Sequence, residues 1–576
     1  MSNNKKPVDL TASPDGRWFQ QSKFAMFVHW GPYAATGGVW NGKRYHGIGE
    51  WLMCRAQIPA ADYAAMAATF NPRKFSADRW AALAAEAGMK YIVITAKHHD
   101  GFAMFKSGAS AYNIADYTPF KRDPLAELAK ACPKHGLKLG FYYSQFQDWH
   151  AIGGGGNGWD PAVKGDFAEY FNGKCVPQVE ELMSNYGDVA LIWFDTPGPI
   201  SREDSLRLVH TVRRLQPQCL INSRIGNGVG DYDSLGDQEI PLEAHGGLWE
   251  SIDTHNDTWG FVEHDHNWKS SRELVRRLVK VVAKGGNYML NIGPNGLGEI
   301  PAASADILRE VGVWTQRNAA AIYNAAPSPL PTMPWGECTA SRDGKKLYLH
   351  VLDYPLDGRL TLAGLKGTIK RAAVLGRGAK TLKVSKNAGA TNIALPQQPP
   401  AEPTVIVLDV AGKMSADKMQ TVLPGLRNDF DPPFAKLTAC KAGKNSWMEK
   451  FGDWKHADCI IDWQGPGSSA SWTFKTPQAG RYYLELDYSA KLEADGIEGV
   501  VSVGKIEIPF PALDTGQRDA GVPDHGLWPL YRKYNCGIVH LPKAGKYTLT
   551  IRPTKETPSG WIMLKTVTLA PVPTVR

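Results

Sequence analysis

Several short apolar stretches of this chain end in side chains that can move protons or hold hydroxyl groups. LIWFD ends in Asp195, FVHWG in His29 and Trp30, VITAKHHD in His98 and His99, and LINSR in Arg224. FYYSQFQDWH carries Tyr142, Tyr143 and Asp148, and LWES carries Glu250. A carboxyl can act as nucleophile or general acid, and imidazoles and phenols can hold hydroxyls. VALIWF is apolar enough to be a strand buried on both faces, so placing Asp195 at its end costs desolvation unless the charge has a use. Each residue also has a plainer explanation. Asp195 could cap the turn Thr196-Pro197-Gly198, Arg224 could pair with a helix carboxylate, and a histidine could simply be satisfied at a strand end. Neighbours such as His98 and His99 point to opposite faces of an extended strand, so only one faces inward unless the strand has turned. Six strand ends that agree favour a shared pocket, and one polar or aromatic group per strand end is what a sugar site needs.

The elements that position these groups alternate. From about residue 23 to 325, seven apolar runs (KFAMFVHWG, KYIVITAKHH, KLGFYYSQ, VALIWFD, QCLINSR, LWESI, NYMLNIG) are separated by helical patterns. SADRWAALAAEAG has Ser76 as N-cap and Gly88 as its stop. DPLAELAKACPKHG, VPQVEELMSNYG and SSRELVRRLVKVVAKGG repeat the plan. The alternation predicts a TIM-type (β/α)8-like catalytic barrel over residues 1–325, irregular if seven strands are the full set. In such barrels the working groups sit at the C-terminal ends of the strands. Helical patterns then stop. KKLYLHVLDYP, GRLTLAG, TIKRAAVLG and TVIVLDV predict a β-sandwich over 326–412, and AGKMSADKMQ reads as a polar linker. Alternating strands over 413–576 predict a second β-sandwich. Trp447, Trp454, Trp463 and Trp528 there are candidates for a carbohydrate-binding surface, and equally for core.

The bulk composition excludes several classes. With 43% hydrophobic and 21% charged residues the 576-residue chain is globular, and its 19 Trp and 21 Tyr suit stacking on sugar faces as well as a Trp-rich core. The net charge of +8 is dispersed, without the basic block of a nucleic-acid site. No apolar run reaches the length of a membrane span. The eight cysteines form no C-x-x-C pair, so free buried thiols are expected, with disulfides open for a secreted protein. No metal or other cofactor is implied. The start lacks an apolar signal segment; the expected location is periplasmic or secreted with the signal removed, or else cytoplasmic. Nothing in the sequence speaks to oligomeric state.

FAMFVHWGPYA, GEWLM, YIVITAKHHDGFAMFKS, GFYYSQFQDWH, ALIWFD, WESIDTHNDTWGF and KGGNYMLNIGPNGLGEIP together closely resemble the α-L-fucosidases of glycoside hydrolase family 29. The resemblance runs in order over residues 15 to 325 and is loose beyond. It implies a retaining exo-glycosidase that removes terminal L-fucose from oligosaccharides or glycans. Position by position it implies Asp195 as nucleophile and Glu250 as acid/base, with Glu50, Asp237, Glu239, Glu243, Asp253 and Asp257 as competing carboxyls for the second role. It implies His29, Glu50, Trp51, His98, His99, Tyr143, Trp193 and Arg224 as hydroxyl-binding groups, and Trp259 as a wall facing the sugar methyl. Retention calls for the two carboxyls about 5–5.5 Å apart. Arg224 or a nearby histidine is the expected charge partner of Asp195, and Leu248-Trp249 the apolar flank that keeps Glu250 protonated. Two departures, Thr196-Pro197 after the nucleophile and the long GDQEIPLEAHGGLWE segment, concern the leaving-group side. A relative acting on another L-galacto-configured or sulfated sugar, and a non-catalytic glycan-binding protein, are the alternatives; carboxyls at both Asp195 and Glu250 argue against the latter.

Overall fold

A computed structural model describes residues 13–355, 357–376, 381–387, 390–396, 402–417, 419–519, 527–557 and 560–572. The chain divides into two compact units: residues 1–240 with 245–324, and residues 241–244 with 325–576.

The first unit is built on eight parallel strands: β1 (Phe24–Val28), β2 (Tyr91–Lys97), β3 (Lys138–Ser144), β4 (Leu191–Asp195), β5 (Leu220–Ile221), β6 (Asp233–Ser234), β7 (Trp249–Thr254) and β8 (Asn287–Ile292). Their hydrogen-bonded order is β5-β4-β3-β2-β1-β8-β7-β6. The curled sheet thus follows chain order around a barrel, and a lone parallel bridge, Asn222 to Tyr232, joins its two edges. Residues of β1, β2, β4 and β7 are buried throughout, as both-face burial requires of such apolar runs. The strand absent from the seven sequence candidates is β6: two residues, Asp and Ser, carry no apolar signal.

Helices α1 (Ala77–Glu86), α2 (Pro124–Lys134), α3 (Val176–Asn185), α4 (Arg202–Leu215) and α5 (Ser271–Ala283) fill the crossovers. The caps are those the sequence indicates. Ser76 accepts from the Arg79 amide, Asp123 from Ala126 with Pro124 opening α2, and Ser270 from Glu273. Gly88 stops α1 with φ +91°. No α-helix lies between β5 and β6 or between β6 and β7. The barrel is therefore irregular on one side, and its loops there are free to build a site.

The second unit is β, antiparallel but for the short strand Gln420–Thr421, which pairs in parallel. Its first part holds a four-stranded and a three-stranded sheet around Trp335, Leu349, Leu360, Ile393 and Ile406. Its second part holds two six-stranded sheets around a separate core that includes Phe430, Trp472, Leu484 and Leu564. The expected polar linker at 411–420 is largely strand: Thr404–Ala416 pairs with Leu365–Val374 through two register shifts. Those bulges let a polar, glycine-bearing stretch continue the ladder. Trp463 is core, donating to the Ile562 carbonyl. Trp447 and Trp528 are mostly buried in a satellite cluster against which Trp454 packs. All eight cysteines are free thiols.

Candidate active site

The C-terminal ends of the barrel strands converge on Asp195, the last residue of β4. Its Oδ2 accepts from the Tyr142 hydroxyl at 2.9 Å, and its Oδ1 from Arg224 Nη1 at 3.1 Å. Its amide donates to Gln145 Oε1 at 2.9 Å. The preceding peptide is clamped by Asn222, which both accepts from the Phe194 amide and donates to the Phe194 carbonyl at 2.9 Å. A side chain thus completes the β4–β5 ladder where β5 has ended, and Asp195 is held by backbone and side chain together. The next residue, Thr196, has φ +44°, a region that penalises a β-branched side chain.

Imidazoles line the wall beside Asp195. His99 Nε2 lies 3.8 Å from Asp195 Oδ2, with Nδ1 on the Ser144 hydroxyl at 2.7 Å. His98 stacks on Tyr142 at 5.2 Å. His29 Nδ1 bonds Asn291 Oδ1 at 2.7 Å, and its ring lies 5.3 Å from that of Trp259. Both histidines of the tandem thus reach the site, because the strand has already turned after Lys97. Burial lowers all three imidazoles, His29 to about 4, so they are neutral hydrogen-bonding groups near pH 7. Arg224 supplies the charge. Glu50 is buried, accepts from the Gly260 amide at 2.7 Å, and is pushed up to about 8 by desolvation, with Asp237 and Asp195 adding repulsion. Trp51 packs on the His99 ring at 5.2 Å.

Arg224 also binds a second carboxylate. Its Nη2 donates to Asp237 Oδ1 at 2.6 Å, while its guanidinium lies 4.8 Å from the centre of the Trp193 ring. Asp195 and Asp237 therefore flank one guanidinium. Their side chains keep 12% and 24% of their exposure, enough to meet a sugar and water.

Glu250 is elsewhere. It is the second residue of β7, at that strand's N-terminal end, and has no exposed surface. Its Oε1 accepts from Trp193 Nε1 at 2.6 Å, and the Ser234 and Tyr232 hydroxyls also face the carboxyl. Its electrostatic neighbours include Tyr91 and Tyr232, whose rings pack on Phe19 at the barrel base. Burial pushes it up to about 7, the range an acid/base needs. The same burial leaves it no exposed surface through which to meet a leaving group or water. Tyr143 also departs from expectation: it faces outward, donating to Gln178 on α3 at 2.9 Å. Successive strand residues alternate, so the inward member of the YY pair is Tyr142. Asp148 is likewise outside the pocket, paired with Lys97 and Lys174.

A sequence model of the family described as Alpha-L-fucosidase matches residues 2–320. The chain belongs to the α-L-fucosidase family. Tissue alpha-L-fucosidase of Rattus norvegicus is 31% identical over 423 residues, covering 68% of this chain and 88% of the relative. The structure of alpha-L-fucosidase from Vibrio sp. strain EJY3 superposes with a TM-score of 0.78 at 31% identity, over 96% of this chain and 97% of that one. A fucosidase of Bacteroides thetaiotaomicron, solved as a trapped covalent intermediate, superposes with a TM-score of 0.63 at 29% identity, over 71% and 100%.

Within this fucosidase fold, three positioning groups escape sequence reasoning: Gln145, Asn222 and Asn291. Each is an amide in a strand-end context, where such residues are common in turns. Only spatial pairing distinguishes them.

Proposed function

We propose that this protein is a retaining exo-α-L-fucosidase in which Asp195 is the nucleophile and Asp237 the acid/base. The observation that carries the reading is the single guanidinium of Arg224 shared by these two carboxyls at the open end of the barrel. Asp195 attacks the anomeric carbon as the glycosidic C–O bond breaks, and the leaving oxygen takes a proton from Asp237. Water then attacks the same carbon, giving its proton to Asp237 and freeing Asp195 and fucose. While Asp195 is ionised it shares Arg224 with Asp237. Once esterified it carries no charge, and the guanidinium is left to Asp237, which must deprotonate water.

The other carboxyls have other work. Asp253 is bound by Lys269, Arg277 and Tyr288. Glu239 caps the Gly236 amide, Asp257 accepts from Asn267, and Glu243 lies in the segment 241–244, outside the first unit. Glu50, protonated near neutral pH, joins His29, His98 and His99 in holding fucose hydroxyls, and Trp259 offers the methyl group an apolar face. The substrate class is a fucosylated oligosaccharide or glycan, which this reading has the enzyme meet outside the cytoplasm.

Incubation with a 2-fluoro-fucosyl fluoride followed by peptide mass spectrometry tests the reading. The label is expected on the peptide containing Asp195, and NMR of early hydrolysis should show α-L-fucose as the first product. A β first product, or a label on another carboxyl, overturns it.

A further inference from the structure

The last β module carries a cleft of about 540 Å³, within the range of small-ligand sites. It lies on the face of a six-stranded sheet turned away from the module's core. Leu564 and Leu486 point into that core, while their neighbours Lys565 and Asp487 point to the cleft. Its aromatic wall is Trp447, Trp528 and Tyr531, the first and last stacked at 4.8 Å and 30°. These rings belong to a small hydrophobic cluster separate from the module's main core, with Trp447 and Trp528 mostly buried and Tyr531 more open.

The charge around the rings is unbalanced. Lys450, Arg518, Lys533 and Lys565 line the cleft against Glu449 and Asp487. Asp487 is engaged by Lys565 at 3.2 Å, and the Lys565 ammonium lies 5.6 Å from the centre of the Tyr531 ring. Aromatic faces beside a cationic rim suit a ligand that is both a sugar and an anion.

We propose that this cleft binds an anionic glycan chain, with sugar C–H faces on Trp528 and Tyr531 and sulfate or carboxylate substituents against the lysines and Arg518. The proposal goes beyond fucose hydrolysis and does not rest on it. Affinity electrophoresis of the full chain against a sulfated fucan, polygalacturonate and a neutral β-glucan, at low and raised salt, tests it. At least one anionic polymer is expected to retard the protein in a salt-dependent way, and the neutral glucan is not. The one that does identifies the anion as sulfate or carboxylate. Lys533→Gln/Lys565→Gln should weaken binding about tenfold, as two lost charge contacts would. Lys543→Gln/Lys546→Gln, the same charge change on exposed residues outside the cleft, should have little effect. Tyr531→Ala should also weaken binding, with aryl-fucoside kcat/KM unchanged in every variant. Equal loss in the two double variants, equal retention of the neutral glucan, or no retardation by either anionic polymer overturns the proposal.

Discussion

The two ends of the barrel hold carboxyls of opposite character. At the mouth, Asp195 and Asp237 share Arg224 and remain partly open to solvent. Toward the base, Glu250 is sealed beneath Trp193. The sealed group has the titration behaviour expected of a catalytic acid, and the open pair has the geometry. A perturbed acid is a functional candidate only if it can touch the reacting atoms. Trp193 links the two levels, its indole anchored on Glu250 while its face supports Arg224 and stacks on Tyr142 at 5.5 Å.

Replacing Asp195 with Asn is the largest perturbation of the mouth. It should lower kcat/KM for every fucoside by on the order of 10⁴-fold. Asp237→Ala should come next, costing about 10²–10³-fold on natural glycans but little at the glycosylation step of an aryl fucoside with a good leaving group, with azide restoring turnover. Glu250→Ala provides the contrast. If it shows the same leaving-group dependence and azide rescue, the assignment of mouth and base is reversed. The adjacent tyrosines sharpen the comparison further. Tyr142→Phe should reduce kcat about tenfold by removing one donor to Asp195, whereas Tyr143→Phe should leave kinetics unchanged and cost about 1 kcal/mol in urea unfolding.

The smallest effect is on stability. Glu250, raised by burial to about 7, holds its proton in the folded state after the unfolded chain has released it. Its contribution is complete below the unfolded value near 4.5 and is lost as pH rises to about 7. Glu250→Gln should therefore flatten the decline of Tm between pH 5 and 8, while aryl-fucoside turnover stays within a few-fold. An unchanged pH slope would show that the carboxyl is not titrating there.

Much of the barrel was legible because most of its strands are apolar on both faces and four of the five helices named above begin with Ser or Asp caps. The proposed nucleophile stands out for the same reason, as a charge ending a run that has no other use for one. The proposed acid/base does not. Asp237 sits in a loop after a two-residue strand, with no periodicity to mark which way it points. Glu250 stands in an apolar strand that looks like the setting of a raised acid, and is one. Tyr143 was a parity error: two tyrosines in a row, of which alternation sends one inward. The 411–416 strand was masked by its polarity and bulges.

The lone bridge between Asn222 and Tyr232 has a consequence for what closes the pocket. Elsewhere adjoining strands share ladders of up to five or six pairs, as β1 does with β8 and β2 with β3. At this seam side chains take over from the ladder: the Ser234 amide donates to Ser223 Oγ at 3.0 Å, and Arg224 donates to the Leu235 carbonyl at 2.8 Å and to Asp237 at 2.6 Å. Arg224 hangs from one side of it and Asp237 from the other. The proposed nucleophile and the histidines beside it follow strands joined by the longer ladders, while the proposed acid/base stands at the seam. In the proposed mechanism, then, it is side-chain bonds and not a strand ladder that keep the acid/base in register with the nucleophile.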